Sequence, residues 1–238
     1  MSDIRRILLL STSTVFGGRY LDYAEAEVRN FFVGTRRILF VPFALHDHGR
    51  YTAQVHKALT AFGLELSSLH EASDRRKAVE DAEAIFIGGG NTFRLLKALH
   101  DSDLLTPIRR RVLDGMPYMG SSAGSNVAGA TIKTTNDMPI VEPASFEALG
   151  LVPFQINPHY LDPDPGSTHM GETREERIVQ FLEENETPVV GLREGAMLRI
   201  ENGSAELKGS AGARIFRRGH EPLEMALGTK LNEIFRAV

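Results

Sequence analysis

Short runs of apolar residues alternate with helical patterns through the first two-thirds of the chain. Near-continuous apolar runs are typical of strands that are buried on both faces of a sheet. The runs in this chain are Ile7–Leu10, Ile38–Val41, Ala84–Ile87, Pro117–Met119 and Val189–Leu192. Helical spacing of apolar residues covers Tyr20–Phe32, Tyr51–Phe62 and Leu104–Leu113. The alternation predicts an α/β fold, a three-layer sandwich with a mostly parallel central sheet.

The last third of the chain has a different pattern. Met197–Glu201 and Ala205–Lys208 flank Asn202-Gly203, a pair that favours a tight hairpin turn. Ala213–Arg217 is expected to add a third strand. We interpret this region as a C-terminal antiparallel extension of the same domain, because no repeat or linker interrupts the pattern. Residues 1–238 are therefore expected to form a single domain.

Composition narrows the classes of function. The charged fraction is 24% and the net charge is -4, with Lys and Arg scattered, so a nucleic-acid partner is not favoured. The chain has no cysteine, which excludes disulfides, thiolate metal sites and a Cys nucleophile. Its first apolar run is too short for a signal peptide or a membrane span. We expect a cytoplasmic protein with no membrane partner.

A possible nucleophile lies in Gly120-Ser121-Ser122-Ala123-Gly124, which fits the pattern G-x-S-x-G. The motif follows a predicted strand and precedes a run of small residues that can begin a helix, as a nucleophile elbow requires. Ser122 would then be exposed at a strained turn, next to a helix N-terminus that favours developing negative charge. The alternative is a tight turn with a helix cap at Ser121 or Ser122.

A serine nucleophile needs a base. Of the eight histidines, His159 has the best placement, on an expected loop after Ile156-Asn157-Pro158 and downstream of the serine. A surface role is the alternative for this histidine. His46 and His48 flank Asp47 and could form a metal pair, but no helical H-x-x-x-H accompanies them. We expect neither a metal nor another cofactor.

A glycine run, Gly88-Gly89-Gly90, ends another predicted strand and is followed by Asn91 and Thr92. Such a run exposes backbone N–H groups, so Gly90 could donate to an oxyanion together with the N–H of Ala123. Phosphate or nucleotide binding is an alternative, although neither G-x-G-x-x-G nor the P-loop pattern is present. The other alternative is an ordinary helix start capped by Asn91 or Thr92.

Five sequence blocks occur together and in order in this chain: Ile87–Phe93, Gly120–Gly124, Thr134–Ile140, Ile156–His159 and Gly171–Arg177. As a set they resemble the peptidase E family of α-aspartyl dipeptidases, which are serine peptidases. The resemblance runs from the first strand to about Gly195, and the last ~40 residues resemble the family only loosely.

The resemblance implies a flavodoxin-like fold similar to class I glutamine amidotransferases, which have a Cys where this chain has Ser122. It also implies a catalytic triad of Ser122, His159 and Glu194. The residues themselves do not distinguish Glu194 from Asp137, Glu142 or Asp162 as the acid. Asp137 is expected to shape the site.

The implied substrates are dipeptides and short amides with an N-terminal aspartate. Arg174 corresponds to the family's candidate for binding the aspartate carboxylate, which suits an arginine fork. Asn91 and Thr92 are also expected at the substrate. The alternative, from the local sequence alone, is that Arg174 only forms part of the first turn of a charged helix, Thr173–Leu182.

Three other functions stay open at this point. They are a cyanophycinase-type hydrolase of β-aspartyl-arginine, a non-enzymatic module that binds small molecules, and a metal-dependent hydrolase. The protein is expected to be a monomer or a homodimer.

Overall fold

The computed structural model describes residues 4–168 and 170–231, and in this part of the chain strands and helices alternate largely as predicted. The strands are β1 (Arg6–Leu10), β2 (Arg37–Val41), β3 (Glu65–Ser68), β4 (Ala84–Ile87), β5 (Tyr118–Ser121), β6 (Gln155–Tyr160), β7 (Val189–Arg193), β8 (Ala196–Glu201), β9 (Ser204–Gly209), β10 (Ala213–Phe216) and β11 (Leu223–Met225). The α-helices are α1 (Glu25–Phe31), α2 (His48–Ala61), α3 (Arg75–Glu80), α4 (Thr92–Asp101), α5 (Leu105–Leu113), α6 (Ala123–Asn126) and α7 (Arg174–Glu184).

The central sheet has seven strands in the order β3-β2-β4-β5-β1-β8-β9. Its first five strands are parallel, and β8 joins the edge of β1 in the antiparallel sense. The hairpin of β8 and β9 turns at Asn202-Gly203, where both residues have positive φ angles of 53° and 71°. The predicted mostly parallel sheet with an antiparallel hairpin is confirmed.

A second sheet of four strands, in the order β11-β10-β7-β6, was not predicted. The apolar run at residues 189–192 was interpreted as a strand of the central sheet, but it forms β7 of this second sheet. The segment at residues 213–217 likewise pairs with β7 instead of extending the hairpin. A buried apolar run has the same pattern in either sheet, so periodicity cannot assign it to one of them.

The two faces of the central sheet carry separate helical layers. On β1, Leu8 and Leu10 pack with α1 and α2, whereas Ile7 and Leu9 point into the core formed with α3, α4 and α5. This is the two-residue alternation of a strand, with both faces buried. Ile156 of β6 belongs to the second of these cores, and α7 covers the other face of the second sheet.

Helix starts follow simple capping chemistry. The side chains of Asp47, Asp74, Asn91 and Thr173 accept a backbone N–H at the starts of α2, α3, α4 and α7. No helix in residues 4–168 and 170–231 is long and apolar enough to cross a membrane.

Candidate active site

The C-terminal ends of β1, β4 and β5 lie side by side in the central sheet, and the segments that follow them border one cavity of about 400 Å³. Crevices at this edge of a parallel sheet are where such folds bind ligands. The lining residues are mostly neutral and rich in hydroxyl groups: Thr12, Ser13, Thr14, Tyr20, Leu45, Tyr51, Gln54, Gly89, Gly90, Ser122, Asp137 and His159.

Ser122 occupies a strained turn between β5 and α6. Its backbone angles are φ 51° and ψ -108°, a region that residues other than glycine rarely adopt. Such a conformation costs about 1–3 kcal/mol and persists where its surroundings hold it in place. Here the Ser122 N–H donates to the Leu10 carbonyl, and the Ser125 hydroxyl contacts the carbonyls of Leu10 and Gly120.

The glycines of the motif permit close backbone approach. A Cβ atom on Gly120 would lie 2.5 Å from the carbonyl oxygen of Gly124. A Cβ atom on Gly124 would collide with the carbonyl of Ile87 at the end of β4. The two glycines therefore allow α6 to pack directly onto the ends of β4 and β5, which places Ser122 at the cavity.

His159 lies within β6, at a register shift between Asn157 and Tyr160, rather than on the loop that was expected. Its φ angle of 53° turns the side chain out of the regular alternation of the strand. The backbone N–H of His159 donates to the Ser11 hydroxyl over 2.9 Å, and that hydroxyl donates to the Leu192 carbonyl over 2.8 Å. Ser11 is fully buried, so it fixes the position of this irregular backbone.

The imidazole of His159 lies between a hydroxyl and a carboxylate. Nε2 is 2.8 Å from the Ser122 Oγ atom, and Nδ1 is 2.7 Å from Oε1 of Glu194. Because an ionised carboxylate can only accept, Nδ1 donates to Glu194 and Nε2 accepts from the serine hydroxyl. Glu194 follows β7 in the tight connection to β8, where Gly195 has a φ angle of 87°. These three groups can therefore transfer a proton away from Ser122.

The other acids that the sequence left open have different environments. Asp162 accepts two bonds of 2.7 Å from Arg193, and this guanidinium holds the pKa of Asp162 below its usual value. Glu142 is exposed. One imidazole nitrogen of His159 contacts the Ser122 oxygen and the other contacts a Glu194 oxygen. Neither Asp162 nor Glu142 therefore forms a hydrogen bond with the ring.

Two backbone N–H groups near Ser122 have no hydrogen-bond partner among the described residues. They belong to Gly90, on the turn after β4, and to Ala123, the first residue of α6. The backbone of Gly89 approaches Ser122 so closely that a Cβ atom there would lie 3.1 Å from the serine Cβ. Donors in such positions can bind a developing oxyanion.

Asn91 and Thr92 have structural contacts of their own. Asn91 caps α4 by accepting from the Arg94 N–H, and its amide donates to the Met138 carbonyl. Thr92 is buried and donates twice to Oδ2 of Asp137, from its N–H over 2.7 Å and from its hydroxyl over 2.6 Å. The bonds of Asn91 support the helix-cap interpretation for that residue, whereas Thr92 is the first residue of α4 and does not cap it. The bonds from Thr92 position the Asp137 side chain at the cavity.

Arg174, the first residue of α7, borders a separate cavity of about 390 Å³ and not the one that contains Ser122. The described residues give Arg174 no ion pair. Burial and the neighbouring Arg177 lower the pKa of Arg174, while the negative charge of Asp137 opposes that shift. Asp137, which lines the cavity at Ser122, therefore lies close enough to Arg174 to influence its pKa.

The histidines considered for a metal site do not converge with acids. In residues 4–168 and 170–231, no three side chains of His, Asp or Glu are placed to hold a metal ion. His48 begins α2 and its ring packs against Phe43 and His70. Burial and the nearby His70 and Arg75 lower the pKa of His48.

Several site residues were missed from the sequence. Ser11 and the hydroxyl residues after it follow β1, at the same sheet edge as the glycine run. Their position directly after a buried strand is the sequence feature that could have placed them at the site. Tyr20 and Tyr51 meet through their hydroxyls at 3.3 Å, and burial raises the pKa of both, so they stay neutral. They are separated widely in sequence, and only the fold brings them to the cavity.

Residues 7–208 match the family model described as peptidase family S51. The chain is 55% identical to a peptidase E of Streptomyces coelicolor, over 96% of this chain and 94% of that one. It is 49% identical to a protein of Drosophila melanogaster named as a probable alpha-aspartyl dipeptidase, over 95% of each chain.

A similar fold occurs in the crystal structure of a peptidase from an acI-B1 Actinobacterium. The two structures superpose with a TM-score of 0.70 over 96% of each chain, at 16% sequence identity. At that identity the likeness concerns the fold alone.

Proposed function

The chain belongs to peptidase family S51, and on that premise we propose that it is an α-aspartyl dipeptidase in which Ser122 attacks the peptide bond of Asp-X. The observation that supports the proposal most directly is the position of His159, in hydrogen-bond contact with both Ser122 and Glu194. The name of the Streptomyces relative supports a peptidase, and the name of the Drosophila relative supports the class of substrate.

In the proposed mechanism, Ser122 is activated by His159. Nε2 takes the proton of the hydroxyl as Oγ attacks the peptide carbonyl, and Glu194 stabilises the imidazolium that forms. The negative oxygen of the tetrahedral intermediate accepts hydrogen bonds from the N–H groups of Gly90 and Ala123. His159 then gives the proton to the leaving amine, so that the C–N bond breaks and residue X departs.

The second half of the reaction releases aspartate. Water enters beside His159, loses a proton to Nε2 and attacks the ester that links Ser122 to the aspartyl group. The collapse of this second intermediate returns the proton to the Ser122 oxygen. Every step uses side chains and backbone groups of this chain, so the mechanism requires no metal and no cofactor.

Recognition of the aspartyl side chain is assigned to Arg174. Its guanidinium has no ion pair among the described residues, and a fork of N–H donors matches a carboxylate in geometry and charge. Arg174 borders a separate cavity from the one that contains Ser122. Substrate binding must therefore either bring Arg174 closer to Ser122 or extend the aspartyl side chain of the substrate towards Arg174.

The experiment that tests this function compares two adjacent serines. Ser122→Ala should lower kcat on Asp-Leu by about 10³-fold or more, since a triad acts as a unit. Ser121→Ala is the matched control, because the Ser121 hydroxyl is buried and has no hydrogen-bond partner in the described structure. Wild-type turnover in Ser122→Ala, or equal loss in both variants, would contradict the assignment of the nucleophile.

A substrate panel separates this proposal from the related activities. Asp-Leu, an isoaspartyl dipeptide and β-Asp-Arg should be assayed side by side with the wild type. We expect turnover of Asp-Leu. Preference for β-Asp-Arg would indicate a cyanophycinase-type hydrolase. A binding module would hydrolyse none of the three substrates, and its Ser122 would not react with a serine-directed phosphonate.

A further inference from the structure

The glycine turn after β4, Gly88–Gly90, carries one of the two N–H groups that the proposed mechanism assigns to the oxyanion. Glycines have no side chains that could hold such a turn in place, so its orientation depends on the groups around it. Backbone bonds fix both of its ends. The Gly88 N–H donates to the Val41 carbonyl over 3.2 Å, and the Asn91 N–H donates to the Ala44 carbonyl over 2.9 Å. The N–H groups in the middle of the turn are not used by these bonds.

A tyrosine side chain of α2 lies against this turn. A Cβ atom on Gly88 would lie 2.5 Å from the Tyr51 hydroxyl and 2.8 Å from two carbons of its ring, so the phenol packs directly on the glycine backbone. Tyr51 is 4% exposed, and its ring makes an edge contact with Phe40 at 5.1 Å between centroids. Close packing therefore keeps the phenol in one position, at the wall of the catalytic cavity.

The Tyr51 hydroxyl has two polar neighbours. One is the Tyr20 hydroxyl, at 3.3 Å, and the other is the backbone of Gly89. Burial raises the pKa of Tyr51, whereas Tyr20 and the Gly89 backbone lower it. A backbone group lowers the pKa of a phenol by donating to its oxygen, and the N–H is the donor that a glycine backbone has. The Gly89 N–H therefore faces the Tyr51 oxygen.

Three of the four consecutive N–H groups at this turn are thus accounted for. Gly88 and Asn91 donate to backbone carbonyls. The Gly89 N–H faces Tyr51. The Gly90 N–H has no hydrogen-bond partner among the described residues. Because the N–H groups on either side of it are held, the planar peptide group that contains this N–H has little freedom to rotate.

We propose that Tyr51 is a positioning residue for the oxyanion site: its hydroxyl holds the Gly89 N–H and thereby keeps the Gly90 N–H directed at the carbonyl oxygen of the substrate. This inference rests on the proposed function and deepens it. In this role Tyr51 touches no reacting atom. It fixes a donor before negative charge develops, and donors that are fixed in advance are the ones that stabilise a transition state most.

The test removes single hydroxyl groups from buried tyrosines. Tyr51→Phe keeps the ring and removes only the oxygen. Tyr160→Phe is the matched control, because Tyr160 is also buried and its hydroxyl contacts Glu175 and Arg214, at 3.2 Å and 3.3 Å, instead of the glycine turn. Thermal melts of both variants check that they fold.

Tyr51→Phe should lower kcat and leave KM nearly unchanged, because the oxyanion forms only after the substrate has bound. Removal of an oxyanion donor costs about 10²–10³-fold in kcat, so misdirection of one should cost about 10- to 100-fold on Asp-Leu. Tyr160→Phe should keep the wild-type kcat. Tyr20→Phe removes only the neighbour of the Tyr51 hydroxyl and should lower kcat about 2- to 10-fold, the size expected for one neutral hydrogen bond. Tyr20→Phe decides the question if Tyr51→Phe does not fold.

Two inhibitors check that the loss concerns the oxyanion. In the boronic acid analogue of aspartate, B(OH)₂ replaces the α-carboxyl group. The Ser122 oxygen bonds to boron, the hydroxyl proton passes to His159, and the anionic tetrahedral boronate presents an oxygen to Gly90. Its Ki should rise in Tyr51→Phe by the factor by which kcat falls. The amino alcohol 3-amino-4-hydroxybutanoate has CH₂OH in place of the α-carboxyl group and forms no oxyanion, so its Ki should change less than about twofold.

An unchanged kcat in Tyr51→Phe, or an unchanged Ki for the boronic acid, would overturn the inference. An equal rise in Ki for both inhibitors would overturn it as well, because it would indicate that Tyr51 only maintains the shape of the cavity. An equal fall in kcat in Tyr160→Phe would have the same meaning. Failure of the proposed function is recognised separately, since the wild type would then not hydrolyse Asp-Leu at all.

Discussion

Replacement of Ser11 by alanine tests whether the buried hydroxyl behind His159 holds the proposed base in position. In the structure its Oγ atom accepts the His159 N–H and donates to the Leu192 carbonyl, so it connects the end of β1 to β6 and β7. Ser11→Ala removes both bonds, and the His159 N–H loses its acceptor. A buried donor left without a partner costs about 1–3 kcal/mol.

That magnitude predicts measurable effects on stability and rate. For a chain of this length, each kcal/mol shifts Tm by about 2–4 °C, so Ser11→Ala should unfold about 2–12 °C below the wild type in a thermal melt. Because Ser11 touches the backbone of His159, the imidazole should also shift. A displacement of about 1 Å can lower kcat by ~10²-fold, with a smaller effect on KM.

Ser68→Ala provides the control for a purely structural loss. Ser68 is also buried, at the C-terminal end of β3, which is an edge strand of the central sheet. Its hydroxyl contacts Thr52 at 3.0 Å and His70 at 2.6 Å, away from the cavity. It should lose stability and keep kcat. An unchanged Tm and kcat in Ser11→Ala, or the same fall in kcat in both variants, would refute the reasoning.

Two further substitutions test the proposed acid and the proposed carboxylate site. Glu194→Gln should lower kcat by about 10²–10⁴-fold, because the imidazolium that forms in the reaction loses its counter-charge. Glu142→Gln should match the wild type, and similar rates for the two variants would argue against Glu194. Arg174→Met should reduce kcat/KM on Asp-Leu about 10- to 100-fold more than on Asn-Leu, since the neutral amide cannot use the lost charge. Arg29→Met is the control, because Arg29 is an exposed arginine of α1 that borders neither cavity, and equal losses on both substrates would remove Arg174 from recognition.

Much of the central sheet could be predicted because its strands carry a strong local signal. The runs at β1, β2, β4 and β5 are apolar on both faces, and a Gly or Ser residue follows β1, β4 and β5 at the sheet edge. The turn at Ser122 was predictable for the same reason, since Gly120 and Gly124 are required by contacts within a few residues or with the adjacent strand.

Contacts between distant segments could not be predicted in this way. His159 and Glu194 are 35 residues apart and meet because β6 and β7 pair in a sheet that periodicity did not indicate. The φ angle of 53° at His159 could not be predicted, because the residue is not a glycine. The hydrogen bond from Thr92 to Asp137 likewise depends on a loop that folds back over the start of α4. Resemblance to a family supplied Glu194, and local chemistry did not.

The proposed triad is divided between the two sheets, and this division has a consequence for stability and rate. Ser122 follows β5 of the central sheet, whereas His159 lies in β6 and Glu194 follows β7 of the second sheet. The contacts of 2.8 Å and 2.7 Å are therefore maintained by the packing of one sheet against the other. Ser11 and Asn126 join the sheets through buried hydrogen bonds to β6 and β7. Because a close-packed interior transmits displacement, changes at this junction should alter kcat even where no substrate atom is touched.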